Sequence, residues 1–261
     1  MRIVSLCPSL TELVFDLGRG DDLVGVTKFC VHPAAGVAAI EKVGGTKNPR
    51  VDRIAMLRPD IVLLNEEENR REDAEALGAR SIDCHVSFPR TAADTAAMVR
   101  SIGEAIRAGP RAEDIAREIE VRAARVREAT RDRKPVRFAY LIWREPIMVA
   151  GRDTFISDLL GLAGGVNVFV GDDERSDRYP TLTVEDLRAA DPDAVLLSTE
   201  PFPFGEAHAD ELSAATAIPR RRFHVVDGEL LSWHGSRTPR GIEYAAQLLD
   251  EIRDLVEPGD D

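Results

Sequence analysis

Apolar and polar positions along this chain follow one pattern twice. Residues 51–67 read VDRIAMLRPDIVLLNEE, and residues 184–200 read VEDLRAADPDAVLLSTE. Val51, Pro59, Asp60, Val62, Leu63, Leu64 and Glu67 recur as Val184, Pro192, Asp193, Val195, Leu196, Leu197 and Glu200. Each copy predicts a short amphipathic helix, a Pro-Asp turn, a continuous apolar strand and a loop carrying acid. A module repeated this far apart predicts two similar lobes, and clefts between lobes are where small ligands bind.

The flanking patterns extend the symmetry. In the first half, residues 2–6 predict a strand. A helix follows, capped by Ser9 or Thr11, with Leu10, Leu13, Val14 and Leu17 on one face and Gly18 closing it. Leu23 to Val26 predicts a second strand. After the first copy of the module come a helix over 70–77, a strand beginning at Ala79, and a helix from Thr91 to about Ile106. In the second half, Val136 to Ile142 predicts a strand. Thr154 caps a helix stopped at Gly164-Gly165, and the second copy follows. Phe223 to Val226 predicts a strand, and about Pro239 to Val256 a closing helix with proline in its first turn. Continuous apolar strands alternating with helices predict mainly parallel sheets.

Between the halves, residues 111–132 contain no Gly or Pro and are dense in Ala, Glu and Arg. They predict one helix spanning roughly 33 Å. Because freely bending linkers are rich in Gly and Ser, this segment reads as a rigid connector. The expected organisation is an α/β lobe over 1–108, a connecting helix over 109–133 and a second α/β lobe over 134–261.

At 261 residues and a net charge of −12, the chain is no general binder of nucleic acid or anionic membranes. Arg220, Arg221 and Arg222 read as solvated surface. No apolar run is long enough to cross a bilayer, so direct membrane insertion is not expected. Met1-Arg2 leads directly into an apolar strand, so the chain as it stands predicts a cytoplasmic location. A leader omitted from the sequence would make it extracytoplasmic or periplasmic. The three cysteines, Cys7, Cys30 and Cys84, fit free thiols in a reducing compartment.

TELVFDLG near the start, the doubled RPDIVLL and DPDAVLL, AGRDTFISDLLGLAGGVNVF at 150–169 and SRTPRGIEYAAQLL at 236–249 together resemble one family over essentially the whole chain. It is similar to the helical-backbone metal receptors, a class of ABC-transporter solute-binding proteins that includes the vitamin B12 and ferric siderophore receptors. The resemblance is strongest to the B12-binding-like branch. It implies two Rossmann-like lobes joined by one long helix, with a metal-organic chelate held between them and delivered to a permease. It also implies permease docking through an acid on each lobe. Glu66, Glu67, Glu68 and Glu72 on the first lobe and Glu200 on the second are the candidates, since charge complementarity orients such encounters.

Ligands of parallel α/β sheets bind beyond the carboxyl ends of strands. That rule collects, from the first lobe, Cys7, Ser9, Lys28, Phe29, Asn65, Glu67, Phe88 and Arg90. From the second it collects Trp143, Arg144, Tyr179, Glu200, Phe202, Trp233, His234 and Arg237. Both tryptophans fall in the set, and aromatic faces of this kind grip a flat, partly apolar ligand. Trp233, in a turn-rich loop, is the leading ligand contact. His32 and His234 are candidate ligands for a metal ion or the metal of a chelate, although no metal-binding spacing supports a preformed site.

No G-x-G-x-x-G, Walker A or G-x-S-x-G motif is present. The expectation is a binding protein, not an enzyme, requiring no cofactor, acting as a monomer, and capturing a cobalamin-like corrinoid. The alternative is a cytoplasmic adaptor or sensor that keeps the fold without a transporter and binds a siderophore, haem or a divalent metal ion.

Overall fold

The structure is a computed structural model that describes residues 1–170 and 178–256. It divides into two compact units. The first comprises residues 1–89, 93–120 and 234–237; the second comprises 90–92, 121–233 and 238–261.

The first unit opens with β1 (Ile3–Ser5), α1 (Pro8–Asp16), β2 (Leu23–Val26) and the single turn α2 (Ala34–Val37). The first copy of the repeated module supplies α3 (Val51–Met56) and β3 (Ile61–Asn65). It continues through α4 (Arg71–Gly78), β4 (Cys84–Ser87) and α5 (Ala92–Ala105) into α6 (Gly109–Thr130). The four strands are parallel in the order β2-β1-β3-β4. All five residues of β3 are buried, which is why this strand reads as an unbroken apolar run. One face of the sheet packs Val4, Leu6, Val62 and Leu64 against Val43, Ile54 and Leu77.

Three boundaries differ from the sequence expectation. Helix α1 starts at Pro8, and its cap, Cys7, is extended and makes no side-chain capping bond. Ser9 and Thr11 lie inside the helix, where their hydroxyls serve other partners. The strand expected from Ala79 begins at Cys84 instead. Ser81 adopts φ 57°, and Ile82 N–H returns to the Leu77 carbonyl, so 79–82 is a helix-closing turn. The long helix runs two residues earlier than 111–132. Proline is tolerated in a first turn, where its missing N–H has no helical partner anyway, so the helix takes in Gly109 and Pro110. Helix α6 is a single 22-residue element; 109–120 belong to the first unit and 121–130 to the second.

The second unit contains β5 (Val136–Trp143), β6 (Ile147–Val149), α7 (Phe155–Leu162), β7 (Gly165–Asn167) and β8 (Thr181–Leu182). The second copy of the module gives α8 (Val184–Ala190) and β9 (Ala194–Ser198). Then come α9 (Glu206–Thr216), β10 (Phe223–Val226), α10 (Gly228–Ser232) and α11 (Thr238–Val256). The strand order is β10-β9-β5-β6-β8, with β7 also on β5. β5, β7, β9 and β10 are parallel, so the expected parallel sheet is present. The antiparallel β5–β6–β8 edge is an addition to it. Thr154 caps α7 as expected, accepting the Ser157 amide at 3.2 Å. One side of this sheet buries Leu141, Val149, Leu187, Val195, Leu197 and Phe223 in a common core.

Candidate functional site

A parallel sheet opens a crevice at the carboxyl ends of its strands where strand order reverses. In the first unit that point lies between β1 and β3. Cys7 and Ser9 follow β1 directly, and Asn65 ends β3. His234, returned to this unit from far along the chain, completes a buried polar chain; Cys7, Ser9, Asn65 and His234 are each at most 6% exposed.

The direction of that chain follows from its bonds. Asn65 Oδ1 accepts the amides of Glu67 at 2.9 Å and Glu68 at 3.3 Å. The amide nitrogen Nδ2 therefore faces His234 Nε2, 3.1 Å away. Nε2 must accept, so the proton of the neutral ring sits on Nδ1. Nδ1 lies 3.5 Å from Ser9 Oγ, which is 3.3 Å from Cys7 Sγ. Burial lowers the pKa of His234 to about 4. Asn65 occupies the lone pair that a metal would need. His32, the other candidate metal ligand, sits half-buried on the loop after β2. Among the described residues no group of three or more His, Cys, Asp or Glu is placed to hold a metal ion.

The cysteines of this unit are held as thiols. Burial, then the charge of Glu68, pushes Cys7 up to about 12. Burial also raises Cys30, whose sulfur sits 3.0 Å from Thr11 Oγ1 and 3.1 Å from Thr27 Oγ1. Glu68 is half-buried, and burial raises its carboxyl against the opposing charge of Lys47. Lys47 itself donates to the Glu67 carbonyl. Phe29 is 50% exposed, with the Lys28 ammonium 4.8 Å from its ring centre. Phe88 follows β4 and is half-buried. Arg237 pairs with Glu12 at 2.5 Å within this unit.

In the second unit the reversal lies between β5 and β9. Trp143, the last residue of β5, is 40% exposed. Its ring meets Phe202 edge-on at 5.7 Å, Phe202 meets Phe204 at 4.7 Å, and its Nε1 donates to the Glu145 carbonyl at 3.2 Å. The indole is thus anchored at one edge while much of it stays in solvent, an arrangement suited to holding an apolar ligand face. Ser198, the last residue of β9, accepts from Tyr140 Oη at 3.0 Å and bonds the Glu200 carbonyl at 2.5 Å. The Glu200 carboxylate takes the Ser232 hydroxyl at 2.5 Å. Trp233 is only 9% exposed, its amide bound to the Glu229 carbonyl. Arg144 is paired with Glu211. Arg90 stands 4.0 Å from Asp153. Tyr179 precedes β8 rather than following a strand, with Arg178 5.6 Å from its ring.

The sequence-selected residues therefore gather into two sets. Cys7, Ser9, Asn65, Glu67 and His234 form the first, and Trp143, Phe202 and Glu200 the second. Tyr140, Ser198 and Thr11 carry much of this bonding and were not legible as site residues. Each reads as an ordinary strand or helix position, and a hydroxyl in an apolar run is the only sign they leave.

Residues 3–218 match the family described as periplasmic binding protein. The chain belongs to that family. Members of it are substrate-binding proteins, and two of the solved structures share this member's fold over nearly the whole of both chains. The periplasmic vitamin B12-binding protein BtuF of Vibrio cholerae superposes with a TM-score of 0.81 at 22% identity, covering 97% of each chain. The periplasmic haem-binding protein RhuT from Roseiflexus sp. RS-1 gives 0.81 at 25% identity, over 97% of this chain and 98% of that one. An uncharacterized ABC transporter substrate-binding lipoprotein of Bacillus subtilis, YvrC, is 27% identical over 95% of this chain and 79% of its own length.

Proposed function

We propose that the chain is a solute-binding protein that captures a metal-organic chelate, a corrinoid first, and delivers it to an ABC-type permease outside the cytoplasm. The observation that carries this reading is Trp143, braced edge-on by Phe202 yet 40% exposed at the carboxyl end of a central strand. A flat macrocycle offers such a ring a large apolar contact. The relatives named for vitamin B12 and for transporter substrate binding support the ligand class and the partner. Glu66 and Glu72 are exposed, whereas Glu67, Glu68 and Glu200 are half-buried. That division favours Glu66 and Glu72 among the first unit's acids for permease docking, with Glu200 the candidate on the second.

Haem is the second reading, favoured by the equal likeness to a haem-binding protein. Calorimetric titration with cyanocobalamin and, separately, with haemin tests both. Saturable one-to-one binding of cyanocobalamin supports the corrinoid reading. Binding of haemin alone replaces it with the second. Failure of both with folded protein removes the chelate function.

A further inference from the structure

The open edge of the second unit's sheet carries a groove of about 310 Å³. Its floor is β10, the end strand of the order β10-β9-β5-β6-β8. One wall is the face of α11 that presents Tyr244, Gln247, Leu248 and Glu251, and Glu206 at the start of α9 forms another. Sheet edges invite an added strand unless they are blocked, and this one is blocked on both sides. Val226 turns its carbonyl towards β9, where it accepts the Thr199 amide. Alternate residues therefore face outward: Phe223, Val225 and Asp227. The Phe223 carbonyl is taken by Arg220 Nη1 at 2.9 Å, and the Asp227 amide by Tyr244 Oη at 3.1 Å. Val225 alone turns its peptide groups towards the groove, which leaves too short an edge for a peptide strand.

What is left suits a small molecule. The lining holds two carboxylates, Glu206 and Glu251, and no cationic side chain. Arg220, whose charge acts on His224, is already engaged by Glu206 and Asp210. The His224 ring is half-buried in the groove and hydrogen-bonds no described residue, while its backbone pairs with β9. Burial and the charge of Arg220 favour its neutral ring, which keeps an acceptor nitrogen available. The volume is at the lower end of the range of about 300–1,000 Å³ seen for ligand pockets.

We propose that this groove is a second ligand site, separate from the strand-end loops, that takes a small organic cation bearing a guanidinium or amidine group. A planar cation with divergent N–H donors matches the acceptors present: the Val225 carbonyl, the His224 ring and the Glu251 carboxylate, whose Oε1 also accepts from Gln247 Nε2 at 2.9 Å.

The test is a titration of the full chain with agmatine, read from the ring resonances of His224 by NMR, with sodium chloride at matched ionic strength as the control. The expected result is a saturable one-site shift that salt alone does not reproduce. Glu251→Gln, a substitution at an exposed position, is expected to weaken it about tenfold or more. His224 resonances unmoved at tens of millimolar agmatine overturn the proposal. So does a shift that sodium chloride reproduces, or one that Glu251→Gln leaves unchanged.

Discussion

Asp60 and Asp193, equivalent residues of the repeated module, make the same bond in each unit. Asp60 Oδ2 accepts the Arg2 amide at 2.7 Å, and Asp193 Oδ2 accepts the Arg137 amide at 2.9 Å. Both arginines lie at the start of a central strand. Each guanidinium then reaches carbonyls where the module's helix ends, Leu57 for Arg2 and Ala190 and Asp191 for Arg137. The Pro-Asp turn is thus a clasp that fixes where β1 and β5 begin. Replacing either aspartate by Ala is expected to lower stability by about 0.5–1.5 kcal/mol, the usual net worth of one such bond. Asn, which keeps the acceptor, is expected to recover most of it. Urea unfolding of the four variants checks this, and equal loss from Asn and Ala would discard the clasp.

Protonation of His234 should be felt in stability. Its folded pKa lies near 4, below the 6.5 of the free side chain. Between those values the unfolded chain binds the extra proton and the folded chain does not. The His234 contribution is therefore present above about pH 6.5 and is lost as pH falls towards 4, with a full size on the order of 3 kcal/mol. His85 and His224 are shifted the same way, so the comparison must be with His234→Gln. Its stability should fall less between pH 7.5 and 5. Parallel curves for the two proteins would sink the assignment.

The two tryptophans should behave oppositely. Trp143→Ala is expected to weaken chelate binding by about 1–3 kcal/mol while leaving the fold intact. Trp233→Ala removes a buried ring and is expected to cost about 3–5 kcal/mol of stability. Calorimetry and thermal unfolding on the same two variants separate the roles, and a destabilised Trp143→Ala with unchanged affinity would reverse them.

Helices α5 and α6 touch through Gly103. A β-carbon there would stand 2.1 Å from Ala112 Cβ, so Gly103→Ala must push the helices apart. The expected loss is about 1–3 kcal/mol, despite the better helix propensity of alanine. Unchanged or increased stability on denaturation would show that the contact yields freely.

Thiol chemistry offers a simple check on burial. Cys7 and Cys30 are each 2% exposed, whereas Cys84 is half-buried. Native protein treated with a thiol reagent should modify Cys84 first, with Cys7 and Cys30 reacting only on unfolding, as mass spectrometry of the peptides would reveal. Early labelling of Cys7 would contradict its burial.

What could be read in the sequence was whatever repeats or runs long. The doubled module and the 22-residue helix α6 carry their own periodicity, and each copy of the module folds as a helix, a turn and a buried strand. The β6 strand did not show, because three residues, Ile147–Val149, are too few to display an alternation. The site was legible by neighbourhood only. A rule gathers the strand-end loops, but nothing local separates Trp143, held in solvent, from Trp233, buried. Nor does any spacing announce that Asn65 and His234, 169 positions apart, share a bond. Such a contact belongs to the path of the chain, not to its pattern.

That path has a consequence for synthesis. The first unit needs residues 234–237, with His234 against Asn65 and Arg237 against Glu12. A ribosome delivers those residues only after all of the second unit that precedes α11. The half of the protein begun first therefore waits for most of the second to be made, and an amino-terminal fragment released early would lack the partner that His234 gives Asn65.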